Sequence, residues 1–269
     1  MDLGLNGRVA IVTGGSKGIG LGIVKLLLAE GACVVNVSRS PAEVTDMPEC
    51  VGDRCHFFPG DLTDLTVCER AVAYAVRTFG GLHVLVNNAG VNDGAGLDAG
   101  PDAFLLSLQR NLLHYYAMAH YAAPHLKHTR GCILNIGSKV CETGQGGTSG
   151  YAASKGAING LTREWAVELA PAGVRVNAVL PAETWTPLYE RCLAAMPDPA
   201  AARSAIERLI PLGRRFTTIE ELAATVVFLA SDLSSHTTGQ ILFVDGGYTH
   251  LDRKCTETGP VSDFGAAAT

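Results

Sequence analysis

Arg8-Val9-Ala10-Ile11-Val12-Thr13-Gly14-Gly15-Ser16-Lys17-Gly18-Ile19-Gly20 is the stretch that decides the fold. A short apolar run from Arg8 to Val12 ends in a glycine-rich turn, and a helical stripe of Ile19, Ile23, Leu26 and Leu27 follows. Gly31 closes that helix, and Ala32-Cys33-Val34-Val35-Asn36-Val37 is an apolar strand of the kind buried on both faces. The chain therefore begins β-α-β, with glycines at 14, 18 and 20 between the first strand and the helix. A turn of this kind aims free helix N-terminal amides at a phosphate. The spacing, G-x-x-x-G-x-G, differs from the common dinucleotide pattern G-x-G-x-x-G. Glycine turns also serve plain chain reversal, but a position after a buried strand and before a helix is the context a nucleotide site requires.

The alternation continues outward from there. Strands are expected at Cys55 to Phe58, His83 to Val86, Gly131 to Ile136, Val174 to Leu180 and Gln240 to Val244. Helices are expected at Leu65 to Phe79, Phe104 to Leu126, Gly150 to Ala170 and Ile219 to Ala230. Seven strands alternating with helices imply an α/β protein, a doubly wound and mostly parallel sheet covered on both faces. Neither a repeat nor a composition break divides the chain, so one domain is expected over residues 1–248, with a tail at 249–269. The proline-containing region from Ala182 to Arg215 breaks the rhythm after a strand's C-terminal end. Ligand crevices in such sheets lie outside those ends, which makes this region a candidate lid over the substrate.

Composition narrows the class. A net charge of −5 argues against a nucleic-acid or anionic-membrane surface. The longest apolar runs, such as Ala223 to Ala230, fall far short of a bilayer span. The N-terminus has neither the basic nor the apolar region of a signal peptide. Eight cysteines include no C-x-x-C pair, which favours reduced thiols and no metal site. A soluble, cytoplasmic protein is the expectation.

Tyr151-Ala152-Ala153-Ser154-Lys155 carries the chemistry. On a helix, positions i and i+4 share a face one turn apart. A free tyrosine titrates near pH ~10 and is a poor base at neutrality. A neighbouring ammonium favours the phenolate, so the pair could exchange a proton with a substrate hydroxyl.

Thr13-Gly14-x-x-x-Gly18-x-Gly20, Asn87-Asn88-Ala89-Gly90, Asn111, Ser138, Tyr151-x-x-x-Lys155 and Asp245-Gly246-Gly247 resemble, in order and spacing, the motifs of the short-chain dehydrogenase/reductase family. The resemblance runs from about Gly7 to Tyr248. It implies a Rossmann fold, an NAD(P)-dependent oxidoreductase, and a homo-oligomer, commonly a tetramer, assembled through Ile219 to Val244. It also implies roles. Tyr151 is the general acid/base, Lys155 lowers its pKa and binds the nicotinamide ribose, and Ser138 holds the substrate oxygen. Asn111 anchors a water that relays protons to the lysine. Cofactor contacts are implied for Gly14, Ser16, Lys17, Gly18, Ile19, Gly20, Ser38, Arg39, Asp61, Leu62, Asn88, Ala89, Gly90, Tyr151 and Lys155, and for Pro181, Thr184 and Thr186. The family usually has Pro-Gly where this chain has Pro181-Ala182, which points to a backbone that does not require glycine there.

Two finer readings follow. The second strand ends in Val37-Ser38-Arg39-Ser40, without the carboxylate that accepts from a ribose 2′-hydroxyl in NAD enzymes. Arg39 and Lys17 would instead attract a 2′-phosphate, so NADP(H) is expected over NAD(H), with NAD(H) still possible. The expected substrate pocket is Asn92, Asp93, Ser138, Glu142, Gln145, Tyr151, Glu183, Trp185 and Tyr189. Amides and carboxylates with two aromatics suit a hydroxyl-rich ligand, since buried polar groups need partners. The segments Thr186 to Glu190, Met196 to Pro199, Pro211 to Arg214, Gln145 to Tyr151 and Asp245 to His250 resemble a subgroup that contains the L-fucose dehydrogenases and a hydroxysteroid dehydrogenase. That resemblance implies oxidation of an aldose at C1 to a lactone. A reductase of small ketones, 3-oxoacyl groups or steroids is the alternative, and a non-catalytic dinucleotide sensor a third.

Overall fold

The computed structural model describes residues 2–42 and 52–251, so Cys50, Cys255 and the tail beyond residue 251 lie outside the described residues. Seven strands form one sheet: β1 Val9–Thr13, β2 Cys33–Ser38, β3 Cys55–Pro59, β4 Val84–Asn87, β5 Cys132–Ile136, β6 Arg175–Pro181 and β7 Ile241–Val244. Their order is β3-β2-β1-β4-β5-β6-β7, and every neighbouring pair is parallel. The direction of winding reverses between β1 and β4. A crevice opens outside the strand C-termini at such a reversal.

Side-chain alternation along β1 shows why both faces must be covered. Val9 and Ile11 enter one core, with α2 (Thr66–Phe79), α4 (His114–Thr129) and α5 (Ser149–Leu169). Ala10 and Val12 enter the other, with α1 (Gly18–Ala29) and α8 (Ile219–Ala230). Successive residues of a strand point to opposite faces, so an uninterrupted apolar strand needs helices on both. Each fully buried Ile or Leu contributes about 1.5–3 kcal/mol by leaving water, and Ile11, Ile23, Leu27, Leu85 and Ile133 are all fully buried.

Two regions differ from the pattern read along the chain. The long helix expected from Phe104 to Leu126 is α3 (Gly100–Leu108), a π-turn over Gln109–Leu113, and α4. A π-turn adds one residue to a turn and shifts the helix face. Here it falls on Asn111, and no pattern of apolar spacing marks it. The irregular region after β6 holds two short helices, α6 (Pro187–Ala194) and α7 (Pro199–Glu207), each opened by a proline behind a capping side chain (Thr186 and Asp198). Strand and helix ends elsewhere move by a residue or two.

Candidate active site

The glycine loop is shaped for close approach. Gly14 and Gly18 have φ of 67° and 55°, a region that disfavours side chains. A Cβ at Gly20 would stand 2.3 Å from the Gly14 carbonyl oxygen and 2.5 Å from Asn88 Nδ2. Asn88 Nδ2 donates to the Thr13 and Gly14 carbonyls, and the Asn88 and Ala89 amides donate to Thr13 Oγ1 at 2.9 and 3.1 Å. The ends of β1 and β4 are thereby locked together. Ser16 Oγ donates to the Ser40 carbonyl and accepts from Asn36 Nδ2, and Ser38 Oγ donates to Asn36 Oδ1. Helix α1 opens at an extended Lys17 with no capping side chain and no acidic residue in its first turn. Its first amides are therefore available to an anion.

Lys17 and Arg39 are both exposed beside this loop, and Ile19 packs against the core. Asp61, exposed at the end of β3, accepts from the Thr63 amide and hydroxyl. Those two hydrogen bonds, and more weakly the Arg39 charge, hold its carboxyl below the usual range. Leu62 is buried in the core, so only its backbone can face a ligand. Across the cleft, a Cβ on Gly18 would lie 3.7 Å from Thr186 Cγ2, so the start of α6 faces the glycine loop. Pro181 ends β6, and Thr184 pairs with Thr217 in an isolated bridge. Thr184 Oγ1 is buried without a hydrogen-bond partner among the described residues. An unpaired buried hydroxyl suits a polar ligand group such as a carboxamide. The cradle, the free helix amides and the orphaned Thr184 hydroxyl fit a dinucleotide.

Asn111, Ser138, Tyr151 and Lys155 converge at the ends of β4 and β5. Lys155 is 3 % exposed. Its Nζ donates to the Ile136 carbonyl at 2.8 Å and to Tyr115 Oη at 3.2 Å, and lies 5.6 Å from the centre of the Tyr151 ring. Burial lowers the lysine pKa to about 7. Asn111 is fully buried in the π-turn, where its Oδ1 accepts from the Val91 amide at 2.7 Å and its Nδ2 donates to the Ser107 carbonyl. A Cβ on Gly90 would meet Asn111 Oδ1 at 3.0 Å and Lys155 Nζ at 3.6 Å, so the two groups flank one glycine. Ser138 lies two residues past β5, accepts from the Val140 amide, and hydrogen-bonds Tyr151.

The Tyr151 phenol corrects one expectation. In the chain by itself its pKa is raised, because burial outweighs the opposing Ser138 hydrogen bond. An amine that titrates near neutrality and points at Ile136 and Tyr115 gives the phenol little charge to lean on.

The expected pocket residues divide. Asn92, Glu142 and Gln145 are exposed, with Glu142 accepting from Asn159. Asp93 accepts from Ser107 Oγ at 2.8 Å and faces Arg110 at 3.7 Å, which ties it to the Asn111 turn. Glu183 is 8 % exposed and held by Lys139 on one oxygen and the Tyr189 hydroxyl on the other. Trp185 and Tyr189 both pack edge-on against Phe216, and Arg203 covers Trp185. Much of the polar demand read as a call for ligand hydroxyls is therefore met within the chain. Sequence reasoning missed Tyr115 and Lys139. Lys139 follows Ser138 directly, which was a usable signal, whereas the reach of Tyr115 across to α5 was not.

A glycine cradle at the switch point of a doubly wound sheet, beside a buried lysine under a tyrosine, defines an NAD(P)-dependent dehydrogenase or reductase. A family model described as enoyl-(acyl carrier protein) reductase matches residues 14–249. L-fucose dehydrogenase of Bos taurus is 36% identical over 260 residues, covering 94% of each chain. The crystal structure of Cj0485 dehydrogenase superposes with a TM-score of 0.91 at 47% identity, over 94% of this chain and 98% of that one. Ligand-free aldohexose dehydrogenase of Thermoplasma acidophilum gives 0.85 at 29% identity, over 94% and 98%. The chain belongs to the short-chain dehydrogenase/reductase family, and sugar dehydrogenases are among its relatives.

Proposed function

We propose that this enzyme oxidises an aldose such as L-fucose at C1 to the lactone with NADP, using Tyr151 as the general base. The observation that carries the reading is the meeting of Ser138, Tyr151 and the buried Lys155 just beyond the end of β5. Ser138 orients the substrate hydroxyl and steadies the alkoxide as it forms. Tyr151 takes the hydroxyl proton, and an ammonium at Lys155 favours the phenolate that does so. The two groups are coupled, since each unit of charge on one favours the opposite charge on the other. Asn111 holds the Val91 loop beside Lys155 and anchors the route by which the proton leaves. Bound NADP supplies the hydride acceptor, and Gly14 to Gly20, Arg39, Asp61 and Thr184 are the groups that would hold it.

The sugar assignment draws on the L-fucose and aldohexose dehydrogenase relatives. The Trp185, Tyr189 and Phe216 cluster gives the lid an apolar wall, which supports a second reading, reduction of a lipophilic ketone. Assembly as a homotetramer in the cytoplasm completes the proposal. Phe228 on α8 and Leu233 beyond it are 45 % and 48 % exposed beside the edge strand β7.

A panel of aldoses with NADP and of ketones with NADPH, read at the nicotinamide absorbance, tests the assignment. Turnover of L-fucose or a related aldose is expected, and a response confined to ketones overturns it. Tyr151→Phe is expected to abolish turnover while cofactor binding is retained.

A further inference from the structure

Tyr115 stands four residues beyond Asn111, just past the π-turn, and is fully buried. Its hydroxyl donates to the Ile136 carbonyl at 2.9 Å and accepts from Lys155 Nζ at 3.2 Å. Lys155 Nζ donates to the same carbonyl at 2.8 Å. Amine, phenol and carbonyl therefore close a ring at the end of β5, two residues before Ser138. A buried ammonium presents three donors, and each one left without an acceptor is costly. Tyr115 accepts one of them.

We propose that Tyr115 is a positioning residue, which aims Lys155 and supports its charged form so that Lys155 can assist Tyr151. The inference rests on the reading of Tyr151 and Lys155 as the acid–base pair. The groups facing the amine are few. Tyr151 lies on its own helix, Tyr115 and His114 on α4, and Cys141 in the short turn after β5. His114 is buried and held to a pKa of about 4, so its imidazole is neutral at working pH. No carboxylate lies within ion-pairing distance of Lys155 among the described residues. With no anion to hold the charge, neutral acceptors carry that task, and Tyr115 is the one supplied by a side chain.

Tyr115→Phe keeps the ring and removes the hydroxyl. Loss of one hydrogen bond to a charged group is expected to lower kcat about tenfold, with substrate KM changed by less than about twofold. Weaker support for the ammonium leaves the Tyr151 phenolate less favoured, so the acid limb of the kcat/KM profile moves about one unit toward alkaline pH. A purely structural role would lower Tm and leave that limb in place. Should Tyr115→Phe fail to fold, 3-fluorotyrosine placed at 115 by codon suppression keeps the ring and the hydroxyl but makes a poorer acceptor, and a smaller alkaline shift is expected. An unmoved limb with kcat within about twofold, in whichever of the two variants folds, overturns the proposal. Tyr151→Phe separates the levels. If it retains turnover, the acid–base reading fails. If it abolishes turnover while Tyr115→Phe changes nothing, only the role of Tyr115 fails.

Discussion

Replacing Lys139 by methionine tests how the segment after β6 is tied to the turn that follows β5. The Lys139 and Glu183 side chains are 13 % and 10 % exposed, and they form an ion pair, with Tyr189 donating to the second carboxylate oxygen. Lys139 also sits 4.0 Å from the centre of the Tyr248 ring. Through this set, the turn after β5, the segment after β6, helix α6 and the segment after β7 share one network. Methionine keeps most of the side-chain bulk but leaves the Glu183 carboxylate buried with a single donor. Breaking a buried pair in this way costs about 3–5 kcal/mol, since the remaining charge has lost its compensation. The slight exposure of both groups favours the low end, about 3 kcal/mol. For a domain of this size each kcal/mol moves Tm by about 2–4 °C, so a fall of roughly 6–12 °C is expected. Removing the stranded charge as well, in Lys139→Met/Glu183→Gln, should restore more than half of the loss, because the two residues are coupled. Thermal melts of the wild type, both single variants and the double variant give the full cycle. A drop below about 2 °C for Lys139→Met, or strict additivity in the double variant, would refute the claim that this pair is a buried structural tie.

Three further outcomes are expected. Gly20→Ala should destabilise the fold by about 1–3 kcal/mol and weaken nucleotide binding, because its Cβ would press on the Gly14 carbonyl 2.3 Å away; a titration of nucleotide fluorescence together with a melt reads both. Arg39→Asp should lower kcat/KM for NADP by about 10–100-fold while raising it for NAD, through loss of a charge-assisted bond to the 2′-phosphate, and an unchanged cofactor ratio would remove Arg39 from the site. The third concerns pH. The folded lysine pKa of about 7 lies below the ordinary 10.5, so between those values the unfolded chain binds the extra proton. The burial penalty is full below pH ~7 and fades as pH rises toward ~10.5, a gain of about 1 kcal/mol per unit. In the cofactor-free protein, Tm of the wild type relative to Lys155→Met should therefore climb from pH 7 to 9, and a flat difference would contradict a neutral buried amine.

The repeating pattern of the chain determined the sheet and the class of chemistry. Apolar runs such as Val9 to Val12 read as strands covered on both sides, and Gly14, Gly18 and Gly20 mark the turn between strand and helix. These are local properties: strand period, helix period and glycine's freedom of φ act over a few residues, so they are written in the order of the residues. The i, i+4 spacing likewise put Tyr151 and Lys155 on one helix face. What the spacing could not supply was the environment of each group. Burial raised the Tyr151 pKa and lowered that of Lys155, against the simple expectation of an ammonium activating a phenol. Tyr115 and Ile136 reach Lys155 from 40 and 19 positions away, and Lys139 meets Glu183 across 44. Such partners are brought together only when helices and strands pack, because desolvation and hydrogen bonding depend on every neighbour in space and not on distance along the chain.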